Sequence, residues 1–378
     1  MEQTIASGYI SADGHVVEPP DLWTSHIEPR FRDRAPRFES RPEGDYFIIE
    51  GMPPFPTGLE GSMMKDKITG EIKQFEGRRY TDTRPGGWDP QARLGDQDLD
   101  HIRAEIIYPG IGLILFGFPD PEFKRACMRV YNDWLSEFCA AAPQRLLGAG
   151  LLPVGGPVEW AIEEAQRVAR QGLRSVSIPA TVPDRPYFFP DYEPLWAALQ
   201  ELGLPVTVHV GTGKIPLFEQ FTRTSLMPAM GVDVVEAKIM MLMRTMAELI
   251  WGGVPQRYPQ LRFVLVEGGI GWIAAQLRFM DHWWKDHHRW MAPELTELPS
   301  VYFHRQFWAT FEDDRPGLLT RELLNVDHLM WGSDYPHTEG TFPYSREQIA
   351  KDFAGIAEGE VYKMVVANAA HLYGLTTA

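Results

Sequence analysis

Short apolar segments alternate with amphipathic segments along most of this 378-residue chain. The apolar segments end in glycine, proline or a polar residue, and the amphipathic segments carry charged faces and helix-capping residues. Eight apolar segments are strand candidates: residues 8–16, 104–110, 146–154, 173–180, 205–211, 262–269, 303–311 and 328–334. Continuous apolar strands separated by helices are typical of a parallel sheet that is covered on both faces.

Eight such units favour an α/β fold of the (β/α)8 TIM-barrel type over an open sheet. No G-x-G-x-x-G fingerprint follows the first strand, which argues against a dinucleotide-binding fold. Because barrels of this type often exceed ~250 residues, we predict a single barrel domain over residues 1–378.

Two stretches interrupt the alternation. Residues 19–90 are rich in proline, glycine and charge, and they predict a long insertion after the first strand that packs over the barrel mouth. Residues 212–258 predict a long loop followed by a Met-rich helix. Long loops in compact domains are usually functional or disordered, and the aromatic and Met content here favours packing. We therefore expect both stretches to determine substrate specificity.

The composition narrows the class of protein. A hydrophobic content of 44% and a charged content of 23% are ordinary for a globular chain. The formal net charge of -15 argues against a nucleic-acid partner. Because there is neither an apolar run of about 18 residues nor a signal peptide, we expect a cytoplasmic protein without a membrane partner. Cys127 and Cys139 lie on one predicted helix, too far apart for a disulfide.

Five polar residues coincide with the predicted carboxyl ends of strands, where such barrels build their active sites. Asp13 and His15 are two residues apart on the first strand and therefore face the same side. His209, Glu267 and Asp334 close the fifth, sixth and eighth strands. Taken singly, each of the last three has a structural explanation. His209 could be a core histidine, Glu267 a carboxylate paired with an arginine, and Asp334 a helix cap. Their coincidence at one end predicts a metal site, because burying unpaired polar groups is costly.

Further candidates surround these residues. His337 follows Asp334 in a turn and is either a ligand or a partner that orients Asp334. His304 and Arg305, near the predicted seventh strand, could bind a substrate carboxylate. Trp272 could line an apolar substrate pocket.

Several motifs resemble those of one family. They are SADGHVVEPPDLW, VHVG, VEGGIGW, MWGSDYPHTEGT and ANAAHLYGL. With these motifs the sequence resembles the amidohydrolase superfamily, in the amidohydrolase-related branch that includes metal-dependent decarboxylases. The resemblance implies that Asp13, His15, His209 and Asp334 are metal ligands. It also identifies a departure, because Glu267 stands where the family usually has a histidine.

The charge of the ligands bears on the number of ions. Asp13, Glu267 and Asp334 would leave a site with one divalent ion net negative, whereas two ions with a bridging hydroxide approach neutrality. We therefore favour two divalent ions, iron or manganese with zinc as an alternative, and with Glu267 and His337 as additional ligands that also act in catalysis. This carboxylate-rich set resembles the dinuclear non-haem iron oxygenases of the same fold.

Three functions follow from these alternatives. The first is a hydroxylase that activates oxygen at two metal ions and acts on a small organic substrate. The second is a mononuclear decarboxylase or hydrolase of an organic acid, with Glu267 as a general base. The third is a non-catalytic metal-binding subunit of a larger complex. The family resemblance also leads us to expect a homodimer.

Overall fold

A computed structural model of the protein describes residues 8–57, 79–182, 184–213, 232 and 234–376. Eight parallel strands follow one another in chain order around a barrel, which confirms the predicted fold class. The strands, numbered first to eighth, are Tyr9–His15, Ile102–Tyr108, Leu146–Leu151, Ser175–Thr181, Val206–Gly213, Phe263–Val266, Phe307–Phe311 and Leu329–Trp331. Their residues are almost all buried, as expected for a sheet enclosed by helices.

Backbone hydrogen bonds join the first strand to the segment after the eighth. The Asp334 N–H donates to the Asp13 carbonyl at 3.0 Å, and the His15 N–H donates to the Tyr335 carbonyl at 2.5 Å. Asp13, His15 and Asp334 are therefore held side by side by the main chain at one end of the barrel.

Helices connect the strands and cover the barrel. The α-helices of the described residues are Leu22–His26, Pro90–Leu99, Pro121–Ala140, Val158–Arg170, Glu193–Leu202, Met241–Trp251, Val254–Arg257, Ile273–Met291, Pro299–Gln306, Arg315–Thr320, Ser345–Asp352, Glu358–Tyr362 and Asn368–Tyr373. Asp89 and Asp120 cap two of them by accepting hydrogen bonds from first-turn N–H groups.

The seventh strand differs from its prediction. Residues 303–306 belong to the helix Pro299–Gln306, and the strand begins only at Phe307. Pro299 occupies the first turn of this helix, a position that favours proline, and Tyr302, Phe303 and Gln306 form its buried face. The spacing of these three residues is helical, so the prediction of a strand over residues 303–311 was wrong in its first half.

The predicted insertion after the first strand contains a small antiparallel sheet. Its strands are Arg37–Arg41, Gly44–Ile48 and Phe55–Pro56. The Trp23 indole N–H donates to the Cys127 carbonyl at 3.0 Å, which fixes this region to the helix Pro121–Ala140. Residues 58–78 of the insertion lie outside the described residues.

Part of the second predicted stretch is also described. The fifth strand runs to Gly213, and the Met-rich helix consists of a π-helical turn, Glu236–Met240, followed by Met241–Trp251. Residues 214–231 and residue 233 lie outside the described residues.

Two further observations concern the cysteines and the length of the helices. Cys127 and Cys139 are free and buried on one helix. Among the described residues, we find no helix with both the length and the apolar character needed to cross a membrane.

Candidate metal centre

The register of the parallel strands brings the predicted ligands to one level. His15 pairs with Tyr108 on the second strand, and His209 pairs with Val266 on the sixth. Glu267, the residue after Val266, therefore lies one position past His209 toward the carboxyl end of the sheet. All of these positions lie at the carboxyl ends of the strands, which is the catalytic end of such barrels.

Hydrogen bonds orient the two histidines toward the barrel axis. The His15 Nδ1 lies 2.7 Å from the Pro109 carbonyl, and the His209 Nδ1 lies 2.9 Å from the Val210 carbonyl. A carbonyl can only accept, so each Nδ1 must carry its proton and donate. In the neutral imidazole this leaves a lone pair on each Nε2, which is the form that binds a metal ion.

Carboxylates surround these two Nε2 atoms. The Asp13 Oδ1 lies 3.6 Å from the His15 Nε2 and 3.7 Å from the His209 Nε2. The Glu267 Oε2 lies 3.2 Å from the His209 Nε2 and 3.9 Å from the His15 Nε2. Asp13, His15, His209 and Glu267 thus offer four ligand atoms that all lie within 4.8 Å of one another.

A second group of ligand atoms overlaps the first. It comprises His15, Glu267, Asp334 and His337, again within 4.8 Å of one another. The Asp334 Oδ1 lies 3.2 Å from the His15 Nε2 and 2.8 Å from the His337 Nδ1. The structure therefore brings together all six residues that the sequence suggested as ligands, in two groups that share His15 and Glu267.

The hydrogen bonding of these atoms suits a divalent cation. Both Asp13 oxygens and the Nε2 atoms of His15 and His209 are buried without a hydrogen-bond partner among the described residues. Such groups are costly to bury unless they are paired or bind a metal ion. Two imidazole nitrogens with two carboxylates form a donor set that binds manganese, iron or zinc.

Unusual backbone conformations occur at two of these residues. Glu267 and Asp334 have φ values of 65° and 52°, in the left-handed region that residues other than glycine rarely adopt. The Glu267 N–H is held there by the Thr310 Oγ1, which accepts it at 2.8 Å. Strained positions of this kind cluster at functional sites, where the surrounding structure enforces them.

Lys238 is a member of the site that the sequence analysis missed. Its Nζ lies 2.7 Å from the Glu267 Oε1 and 3.4 Å from the Glu339 Oε1, and its side chain is 34% exposed. It belongs to the π-helical turn Glu236–Met240, far from Glu267 in the chain. No local signal distinguishes it from a surface lysine, so only the folded chain reveals the pair.

Glu312 is a second residue that was missed. It directly follows the seventh strand, as Glu267 directly follows the sixth. Burial raises the pKa of its carboxyl well above the ordinary value, and the carboxylates of Asp334 and Glu267 raise it further. Had the strand been placed at Phe307–Phe311, the position of Glu312 would have marked it as a candidate.

The charges of the site act in opposite directions on its carboxyl groups. Burial raises the pKa of Asp13, and the nearby His209 and His15 offset only part of this effect. Burial also opposes ionisation of Glu267, but the Lys238 ammonium together with His209 and His15 outweighs it, so the Glu267 pKa lies below the ordinary value. For Asp334, burial is likewise outweighed by His337 and His15, so its pKa lies below the ordinary value. Glu267 and Asp334 are therefore carboxylates at neutral pH.

The three suggested substrate contacts lie in different places. His304 and Arg305 are on the helix that precedes the seventh strand, so they lie at the end of the barrel opposite to the ligands. The Arg305 Nη1 donates to the Glu297 carboxylate at 2.9 Å. Trp272 lies beyond the sixth strand, on the side of the ligands, and its indole N–H donates to the Gly268 carbonyl at 2.8 Å. Of the three, the structure leaves only Trp272 at the ligand end.

The comparisons with known proteins agree with this architecture. A model of the family described as amidohydrolase matches residues 14–375. A 2-amino-3-carboxymuconate-6-semialdehyde decarboxylase from Dictyostelium discoideum is 23% identical over 276 residues, which cover 70% of this chain and 72% of the relative.

Solved structures share the fold over nearly the whole chain. An amidohydrolase from Mycobacterium avium subsp. paratuberculosis K-10 has a TM-score of 0.80 and 23% identity, covering 97% of this chain and 99% of its own. A dihydroxybenzoic acid decarboxylase from Polaromonas sp. JS666, solved with manganese and the inhibitor 2-nitroresorcinol, has a TM-score of 0.63 and 17% identity, covering 97% of each chain.

These similarities bear on the functions considered from the sequence. They favour the decarboxylase alternative over the oxygenase, and the relatives are enzymes rather than non-catalytic subunits. A divalent metal agrees with the donor set and with the manganese of the Polaromonas enzyme. The chain belongs to the amidohydrolase family, in its decarboxylase-like branch, and is a metal-dependent enzyme.

Proposed function

We propose that this protein is a decarboxylase of a small organic acid and that it works with one divalent ion. The observation that supports one ion is the contact between Lys238 and Glu267. Three carboxylates favoured two ions only as long as no protein cation was counted. With the Lys238 ammonium included, the buried carboxylates of Asp13, Glu267 and Asp334 leave two negative charges, which a single divalent ion neutralises. The second carboxylate beside Lys238, that of Glu339, is 54% exposed, so solvent screens its charge.

The ligands of that ion follow from the geometry of the first group. Asp13, His15 and His209 would hold it together with the Glu267 Oε2, and Asp334 lies beside them on the other side of His15. When bound, a divalent ion draws electron density from a coordinated substrate oxygen and so lowers the barrier to breaking an adjacent bond. Manganese is our first candidate, because N and O ligands suit it and a structural neighbour contains it.

The substrate class follows from this role of the ion. The acid should carry a hydroxyl or carbonyl oxygen close to its carboxylate, so that the electron pair released at carbon can be delocalised toward that oxygen. The dihydroxybenzoic acid of the Polaromonas enzyme carries hydroxyl groups on the ring that bears its carboxylate, and the muconate semialdehyde of the Dictyostelium enzyme carries an aldehyde conjugated with the carbon that bears the 3-carboxylate. We propose a hydroxylated aromatic acid or a closely related unsaturated acid.

The reaction requires one proton from the protein. The bond between the carboxyl carbon and its neighbour breaks, carbon dioxide leaves, and the electron pair remains on the neighbouring carbon, which then takes up a proton. Glu267 is unsuited to donate because Lys238 and the two histidines lower its pKa. Burial and the neighbouring carboxylates of Asp334 and Glu267 raise the Glu312 pKa and so favour its protonated form. We therefore assign Glu312 as the proton donor, which recovers its proton from solvent.

His337 has a different part in this proposal. Its Nδ1 faces the Asp334 Oδ1 at 2.8 Å, and its ring stacks on that of His15 with centroids 4.1 Å apart. Both contacts fix residues of the metal site, so we assign His337 to positioning Asp334 and His15 rather than to proton transfer.

The test is a product assay on the manganese-loaded protein. The protein would be incubated with a panel of hydroxybenzoic acids and with 2-amino-3-carboxymuconate-6-semialdehyde, and both carbon dioxide release and oxygen consumption would be followed. We expect carbon dioxide release from at least one acid, abolished by a chelator, with no oxygen consumed. Oxygen uptake that depends on the substrate, without release of carbon dioxide, would refute the proposal and restore the oxygenase alternative.

A further inference from the structure

The two oxygens of Glu267 face different cations. Its Oε2 points to the histidines, 3.2 Å from the His209 Nε2, whereas its Oε1 contacts the Lys238 Nζ at 2.7 Å. A carboxylate that bridges two metal ions usually supplies one oxygen to each. In this structure the second oxygen is already used by an ammonium group.

The position of Lys238 coincides with the second group of ligand atoms. That group is formed by His15, Glu267, Asp334 and His337. The single lone pair of the His15 Nε2 serves the first ion, so Glu267, Asp334 and His337 are the donors left for a second divalent ion, whose remaining positions solvent would fill. The second group shares Glu267 with the first group, so a second ion would compete with Lys238 for the same carboxylate. Lys238 also reaches the Glu339 carboxylate at 3.4 Å, which holds the ammonium from its other side.

From this arrangement we infer that Lys238 takes the place of a second metal ion and keeps the site mononuclear. The inference rests on the proposed one-ion decarboxylase and extends it to the residue that sets the number of ions. Lys238 acts in two ways: it blocks the bridging oxygen of Glu267, and its charge lowers the attraction of the site for another cation. Without it, the ligand set is that of a latent two-ion site.

The expected consequence can be measured as metal stoichiometry. Lys238→Met removes the ammonium and keeps a side chain of similar length, so Glu267 gains a free oxygen and the site gains one net negative charge. We expect the wild type to bind one equivalent of manganese per chain and Lys238→Met to bind about two. Lys238→Arg, which restores the charge, should return the value to one. Equivalents would be determined by elemental analysis after equilibrium dialysis and by titration with cobalt(II), followed spectroscopically.

Two further variants separate this mechanism from a general loss of charge. Arg244→Met removes a cation from the same helical segment. Because Arg244 pairs with Glu248, at 2.7 Å, and not with Glu267, this variant should still bind one equivalent of manganese per chain. The double variant Lys238→Met, Glu267→Gln removes both members of the pair and should bind no more than one ion, with lower affinity because Glu267 is also a ligand of the first ion. Lys238→Gln repeats the test if the Met variant does not fold.

The outcomes distinguish the inference from the proposed function. One equivalent in the wild type and one in a folded Lys238→Met or Lys238→Gln would overturn the inference and leave the one-ion decarboxylase intact. Two equivalents in the wild type would overturn both. One equivalent in the wild type without decarboxylation of any acid would refute the proposed reaction, while a rise to two in Lys238→Met would still support the role of Lys238.

Discussion

Replacing Asp13 with asparagine is expected to stabilise the metal-free protein and to destabilise the metal-loaded one. Asp13 is 1% exposed, and neither of its carboxylate oxygens has a hydrogen-bond partner among the described residues. An unpaired buried polar group costs about 1–3 kcal/mol, and a charged one costs more. Burial raises the Asp13 pKa, so the folded state binds the proton more tightly than the unfolded state. The stability of the metal-free protein therefore falls as pH rises from the Asp13 pKa of the unfolded state toward that of the folded state.

The size of the effect follows from this cost. Asparagine is nearly the same size and uncharged, so the metal-free protein should gain about 1–3 kcal/mol at neutral pH. An unfolding entropy of about 2.1 cal/mol/K per residue gives ~0.8 kcal/mol/K for this chain, so Tm should rise by about 1–4 °C. Removing a residue that only hydrogen-bonds to a metal ligand already lowers the affinity for the metal by about 10–100-fold. Losing the ligand itself should cost at least about 100-fold, equivalent to ~2.7 kcal/mol of stabilisation by the ion.

Thermal unfolding with and without metal tests both parts. The wild type, Asp13→Asn and the control Asp327→Asn would be compared after treatment with EDTA and after addition of manganese. Asp327 is an exposed residue paired with Lys363, so its substitution should change Tm little in either state. If metal-free Asp13→Asn unfolds at a lower temperature than the metal-free wild type while the control is unchanged, then protein cations stabilise the Asp13 carboxylate, and the reasoning fails.

Four further predictions concern other parts of the chain. Glu312→Gln should lower kcat by about 10²–10⁴-fold without changing the metal content, whereas an unchanged kcat would exclude Glu312 as proton donor. Gly14→Ala should lower the free energy of unfolding by about 1–3 kcal/mol or more in denaturant titrations, because the added Cβ would lie 2.0 Å from the Glu105 Oε1. Burial lowers the His328 pKa to about 4, so stability should fall as pH drops from about 6.5 toward 4, and His328→Phe should flatten this dependence in unfolding experiments at pH 7 and 5. The predicted homodimer can be checked by light scattering, and Trp290→Glu, on the exposed face of the helix Ile273–Met291, should give monomers if that face forms the interface.

The seventh strand shows where pattern reading failed. The run from residue 303 to 311 is apolar enough for a strand, but its first four residues end a helix that begins at Pro299. Short apolar runs do not distinguish the end of a buried helix from the start of a strand. The error moved His304 and Arg305 into the predicted site and left Glu312 out of it.

The number of ions shows a different limitation. The carboxylates could be counted from the sequence, but the cation that offsets one of them could not. Lys238 comes from a segment whose place relative to Glu267 depends on the packing of the Met-rich helix. A charge balance calculated from ligand motifs alone therefore favoured two ions, whereas the balance that includes Lys238 supports our proposal of one.

The sequence by itself determined the barrel and the end at which its chemistry lies. Both follow from local rules: apolar runs alternating with helices predict parallel strands, and side chains two residues apart on a strand face the same side. Asp13, His15, His209 and Asp334 could be identified because each interrupts an apolar strand or closely follows one. The pairing of Lys238 with Glu267 and the environment of Glu312 were decided only by the tertiary structure. Electrostatic interactions depend on distance in space, and that distance is set when segments remote in the chain pack together.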